Sequence, residues 1–283
     1  MPELTLAYRC CDRKLPRYIK HSEVEGIAVL ARQQLVDANT DAISLSVLRD
    51  ISSLKINGIR FDLWVDTEHA VNDDQGNPVL GVCEFDPAAS MDATVLSVSP
   101  VSETATEELV LSTFSHELGH AIFDAPSWIA AAAQGPGLFD DPSELARKAY
   151  RTETRDAEHL AKQPELSAVR NSELERNVHF AELRANEFMG SLLVPRQHLY
   201  RAVETLAPKH GVTIHRSPSL DPELPGTTMR LTADGDIGFF DMECLQKALA
   251  KRFGVHRRFI QVRMERYGLM EAAAQNVSKN NNQ

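Results

Sequence analysis

Cysteine is scarce in this chain of 283 residues: Cys10, Cys11, Cys83 and Cys244 are all there is, and no two have paired metal-site spacing. That argues against a disulfide framework and against a zinc site built from cysteines. No uninterrupted apolar run approaches the roughly 20 residues that a membrane helix requires. The opening stretch MPELTLAYRCCDRKLPRYIK has no apolar core of the signal-peptide kind and soon turns basic. No internal repeat is visible. A surplus of positive charge is also missing, since 40 Asp and Glu stand against 30 Lys and Arg. A net charge of −10 argues against coating nucleic acid with the whole surface. These absences together lead us to expect a reduced, cytoplasmic protein with no membrane partner.

The chain has enough apolar residues, 43%, to bury a large core in one or two domains. Its basic residues are unevenly spread. Arg9, Arg13, Lys14, Arg17 and Lys20 cluster near the start, and Lys247, Lys251, Arg252, Arg257, Arg258, Arg263 and Arg266 near the end. Such ends can bind a polyanion locally or can simply be solvated helix faces.

Periodicity gives a coarse map. Residues 22–38 read as an amphipathic helix with Ser22 as N-cap and Val24, Ile27, Ala28, Ala31 and Leu35 as its stripe. A second helix is expected over 44–55. IRFDLWVD (59–66), VLGVCEF and TVLSVS read as strands, separated by the turn chemistry of NDDQGNP. Residues 102–124 form a buried helix, capped by Ser102 or Thr104 and ended by Pro126. A charged, exposed helix is expected around 142–165 and a strong helix over 172–195. Residues 204–238 read as an excursion with a small hairpin, and 242–271 as helical. The fold class is therefore α+β: a small mixed sheet, two long central helices and C-terminal helices. The domain division is 1–200, with a lid-like inserted segment at 126–170, then an insertion at 201–241. A C-terminal segment resembling a helix-turn-helix follows at 242–275, and a disordered tail at 276–283.

The chemistry concentrates at FSHELGH. On a helix, positions i and i+4 share a face, so His116 and His120 can direct ring nitrogens at one ion. Glu117 sits beside that face, where it can accept a proton from a metal-held water. A catalytic zinc takes three protein ligands and keeps one position open. The best third ligand is Glu182, which falls in the apolar stripe of Val178, Ala185, Met189 and Leu192. A carboxylate there needs a partner, either the metal or a cation such as Arg184. His179, at i−3, is a possible outer-shell group or alternative ligand.

HELGHAIFD followed by ELRANEFMGSLLVP resembles the ImmA/IrrE metallo-endopeptidases, whose pattern pairs an HExxH helix with a helix of the form ExxANxFAxxLLMP. The matching positions are His116, Glu117, His120, Glu182, Ala185, Asn186, Phe188, Leu192, Leu193 and Pro195. The resemblance implies a zincin-like core of gluzincin type, one Zn2+ per chain on His116, His120 and Glu182, and Glu117 as catalytic base. It also implies a helix-turn-helix repressor as substrate, cleaved to release stress, mobile-element or defence genes. Where many relatives carry a further histidine, this chain has Asp124, an outer-shell group or a rival third ligand. Cys83, in the strand nearest in sequence to the zinc helix, is either a possible inhibitory zinc ligand or a small apolar residue. Tyr150, His179 and His198 are the candidates for stabilising an oxyanion.

Lys251, Arg257, Arg258 and Arg263 are possible contacts to single-stranded DNA acting as an activator. Alternatively, the C-terminal helices complete the core and their basic residues face outward. Two rival functions stand beside the peptidase: a DNA-binding regulator with a structural or vestigial metal site, and a toxin-like protease with another target.

Overall fold

The computed structural model describes residues 3–73, 75–103, 105–134, 148–153, 173–218, 227–233 and 238–270. It is a mixed α+β fold. The sheet is built from β1 (Glu3–Leu6), β2 (Ser53–Ile56), β3 (Ile59–Asp66), β4 (Val71–Asn72), β5 (Pro78–Phe85), β6 (Ala93–Val98) and β7 (Lys148–Glu153). Its order is β1-β2-β3-β6-β5-β4, with β7 also paired to β5. β1 runs parallel to β2 and β3 parallel to β6, whereas β5 is antiparallel to β4, β6 and β7.

Helix α1 (His21–Leu35) buries Val24, Ile27, Ala28 and Ala31, the stripe read from the sequence. Only Leu45–Arg49 is helical in the next stretch (α2), because Ser53 onward pairs as β2. Asn57 and Gly58 turn β2 into β3 with φ of 50° and 84°. Positive φ at both loop residues suits an Asn-Gly hairpin turn. The first central helix, α3, spans Glu107–Phe123. Its cap is Thr106, whose side chain accepts from the Leu109 amide, rather than Ser102. Pro126 does not end the helical region: α4 (Ala125–Gln134) follows at once and buries Ala125, Ile129 and Ala132. The second central helix, α5 (Glu173–Leu193), packs along α3. Then come α6 (Arg196–Leu206), the hairpin β8 (Thr213–Pro218) and β9 (Thr227–Thr232), and the pair α7 (Gly238–Phe253) and α8 (Arg257–Arg266).

One hydrophobic cluster runs through the whole molecule, from Leu4 to Leu269, and includes Phe253, Phe259, Ile260 and Met264 of the C-terminal helices. Those helices complete the core. Phe123 ties three regions together, with Tyr8 at 5.1 Å and Phe188 at 5.9 Å between ring centroids. Truncating Phe188 to Ala should therefore cost about 3–5 kcal/mol, read as a shift in the denaturant midpoint.

Two expectations need correction here. In the 126–170 segment, 126–134 is part of a packed helix, and 148–153 is a sheet strand rather than exposed helix; the rest lies outside the described residues. The tail at 276–283 also lies outside them. Arg263 is no surface contact for DNA, being only 5% exposed. Its guanidinium bonds Glu187 at 3.1 Å, Ser191 at 2.9 Å and the Tyr267 hydroxyl. A buried Arg needs such a set, so its charge is already neutralised in place. Arg257 is half-buried and bonds Gln246, Arg258 is half-buried, and Lys251 is exposed. No helix among the described residues is long and apolar enough to cross a membrane.

Candidate metal centre

Helix α3 is buried from Val110 to Phe123, and its two serines are satisfied within the helix. Ser112 and Ser115 donate to the carbonyls of Glu108 and Leu111 one turn back. Tyr8 donates to the carbonyls of Ile122 and Phe123 at the helix end, at 2.9 and 3.1 Å. His116, Glu117 and His120 are left facing α5 and the sheet.

Helix α5 comes close because α3 has a glycine at the crossing. A Cβ on Gly119 would lie 2.9 Å from the Cα of Ala185. That approach brings Glu182 to the histidine pair. The His116 and His120 Nε2 atoms are 3.2 Å apart. Glu182 Oε2 lies 3.3 Å from His116 Nε2, and Oε1 lies 3.3 Å from His120 Nε2. A cation held tetrahedrally at about 2.0–2.1 Å needs ligand atoms about 3.3–3.4 Å apart, so the histidine pair is close to that spacing, with one Glu182 oxygen facing each histidine. Among the described residues, these three form the one group of His, Cys, Asp and Glu whose ligand atoms converge in this way. Both histidines are buried, whereas the Glu182 side chain is 33% exposed, leaving one open side.

The surroundings favour a positive charge. His120 Nδ1 lies 2.9 Å from Asp124 Oδ2. A carboxylate accepts, so Nδ1 carries a proton and Nε2 is the nitrogen that faces the cluster. Arg184 holds Asp124 from behind at 2.8 Å. Burial by itself would lower the His120 pKa, but its bonds to Asp124 and Glu182 outweigh that and push it up to about 10. A divalent cation would take the place of that proton. Burial opposes ionisation of Glu182, but the two histidines win and hold its carboxyl well below the usual range.

Glu117 is fully buried. Its Oε1 accepts from the Thr152 hydroxyl at 2.6 Å, while Oε2 has no hydrogen-bond partner among the described residues. Desolvation raises its pKa, partly offset by His116, His120 and Thr152. A carboxylate with one oxygen fixed and the other free beside a metal triangle is arranged to move a proton.

The other sequence candidates fall differently. Asp124 bonds the far ring nitrogen of His120 and lies outside the converging group. His179 is half-buried beside Phe180 and outside the converging group. His198 bonds Asp41 at 3.1 Å, in a cavity lined by α1 and α6. Tyr150 stacks on His120 at 4.2 Å and 8°. Cys83 does not join the cluster. It is fully buried in the main core, on a strand flanked by β6 on one side and β7 on the other. Burial pushes its thiol pKa well up, so it stays protonated and acts as a small apolar residue. Sequence reasoning missed Thr152, Gly81 and the Arg184–Asp124 pair; Gly81 packs where a Cβ would meet Thr113 and Glu117 at 2.6 and 3.1 Å.

Gly119→Val tests the close approach. The nearest atom is backbone, so no rotamer relieves the clash, and overpacking of about 1–3 kcal/mol is expected. Metal titration should show at least about tenfold weaker binding, each factor of ten being about 1.4 kcal/mol. Comparison with protein-family models and with curated proteins gives no match. Function at this centre is therefore inferred from its own residues.

Proposed function

We propose that the chain is a zinc-dependent endopeptidase with a zincin-like core. The observation that carries this reading is the His116–His120–Glu182 triangle with Glu117 beside it, whose Oε2 has no hydrogen-bond partner among the described residues. His116, His120 and Glu182 would hold the ion, and the mixed nitrogen and oxygen donor set suits zinc. Bound there, zinc would acidify a water and polarise a peptide carbonyl.

The chain's own residues do the rest. Glu117 accepts the proton through Oε2 and returns it to the leaving amine, with its raised pKa suiting both transfers. Asp124, steadied by Arg184, sets the tautomer of His120, and Thr152 holds the other Glu117 oxygen while β7 lies against β5. A purely structural site would gain nothing from burying Glu117 half-satisfied. That favours the peptidase over the regulator with a structural metal.

A helix-turn-helix repressor is the substrate we infer from the motif resemblance to ImmA/IrrE proteins. The test is direct. Zinc-loaded chain is incubated with a helix-turn-helix repressor encoded beside it and with unfolded casein. Cleavage that stops with a chelator and returns with zinc is expected; cleavage of casein alone would leave the peptidase and remove the repressor. No chelator-sensitive cleavage of either would remove the function.

A further inference from the structure

The edge of β5 beside the candidate centre is covered by the chain's own strand. Residues Gly81, Val82, Cys83 and Glu84 of β5 pair with β6 on one edge and with β7 on the other. Among the described residues β7 pairs with nothing else, so without it β5 would be the free edge. β7 runs antiparallel to β5, with Tyr150 opposite Cys83 and Thr152 opposite Gly81. Alternate residues of a strand share a face, and this face is turned to the centre. Tyr150 lies flat on the ligand His120, and Thr152 occupies one oxygen of Glu117.

The strand is held by its ladder to β5, by Tyr150 between His120 and Trp128, and by Thr152. β5 and β6 are mostly buried. In β7, Lys148, Ala149 and Tyr150 are only half-buried, and Thr152 alone is seen fully buried. Its sequence KAYRTE is polar, and it joins the sheet from between α4 and α5, after the other six strands are complete. A strand paired on one side only can be exchanged for another strand of the same direction.

We propose that β7 is the chain's stand-in for its ligand. The site takes an extended peptide segment antiparallel to Val79–Phe85, in place of β7, by strand addition. A small residue faces Gly81, where Glu117 and Thr113 leave little room, and an aromatic or other flat side chain faces His120. The resting chain is closed until β7 leaves. This rests on the peptidase reading, because a peptide is the ligand that a strand edge accepts.

The test locks the strand. Directly opposed antiparallel residues have Cα atoms about 4.5–5.5 Å apart, within the span of a disulfide. Tyr150→Cys, with Cys10, Cys11 and Cys244 changed to Ser, can therefore be bridged to Cys83 in the full chain. Binding of a fluorescein-labelled peptide of sequence KAYRTE is measured on this protein, reduced and oxidised. A second variant, Thr152→Asp, forces β7 to bury a second acid group against Glu117 to stay in place, and so favours its release. Oxidation should weaken peptide binding at least about tenfold, and Thr152→Asp should tighten it about as much relative to the unaltered chain. Equal binding in both redox states, or none in either, together with no gain in Thr152→Asp, overturns the inference. If binding behaves as expected but the zinc-loaded reduced chain cuts nothing, strand exchange stands and the peptidase falls. Cleavage that ignores the disulfide leaves the peptidase standing and removes strand exchange.

Discussion

Glu117→Gln will bind zinc with the stoichiometry of the unaltered chain and cleave peptide about 10²–10⁴-fold more slowly, the range that a positioned base contributes. None of the three converging atoms belongs to residue 117, so the metal loses no ligand. Gln keeps the volume at a fully buried position packed against Gly81, and its carbonyl oxygen still accepts from Thr152. What it lacks is the oxygen that takes a proton. Glu182→Ala should do the reverse, losing metal first and activity as a consequence, whereas Asp124→Ala should weaken metal binding about 10–100-fold as an outer-shell loss. Metal analysis beside a cleavage assay reads all three. A zinc-loaded Glu117→Gln chain with full activity would sink the mechanism.

Arg263→Ala should cost about 3–5 kcal/mol of stability, because it leaves Glu187 charged and buried without its main partner. Glu187 is 6% exposed and is held by Arg263 at 3.1 Å and Arg266 at 3.0 Å. Urea midpoints measure the loss. Replacing both residues, Arg263→Met with Glu187→Leu, should recover much of it, since an apolar pair needs no desolvation of charge. The same pair sets a pH dependence. Burial opposes ionisation of Glu187, but Arg263, His21 and Arg266 overcome it and hold the carboxyl well below its ordinary range. A depressed folded pKa stabilises above the unfolded value of about 4.3 and is lost as pH falls below it toward the folded value. The unaltered chain should therefore lose stability below about pH 4.3 more steeply than the double variant. Parallel slopes would show that Glu187 is not held in this way.

Why one set of residues was legible in the sequence and another was not follows from range. His116 and His120 are fixed by helical spacing alone, and Glu182 by its place in the stripe of α5, so local periodicity placed all three. β3 alternates clearly, and β5 and β6 are marked by their β-branched residues. β2 was lost because SLKI looks as much like helix as strand, although the Asn57–Gly58 pair after it is a strong hairpin signal. Arg263 reads as surface because its charge is cancelled by Glu187, 76 residues earlier, a distance that no periodicity spans. β7 was hidden for a related reason. KAYRTE lies in a charged stretch and becomes a strand only because β5 offers an edge, so tertiary pairing overrides local preference. Cys83 was placed on the right strand, but which side of β5 was covered depended on β7.

X-ray absorption at the zinc edge of the zinc-loaded chain tests the central claim most directly. The triangle of His116, His120 and Glu182 predicts one zinc per chain with nitrogen and oxygen neighbours at about 2.0–2.1 Å and no sulfur at about 2.3 Å. Removing either histidine should abolish the signal at equal protein concentration. A sulfur neighbour, or zinc retained unchanged in His116→Ala and Glu182→Ala, would contradict it.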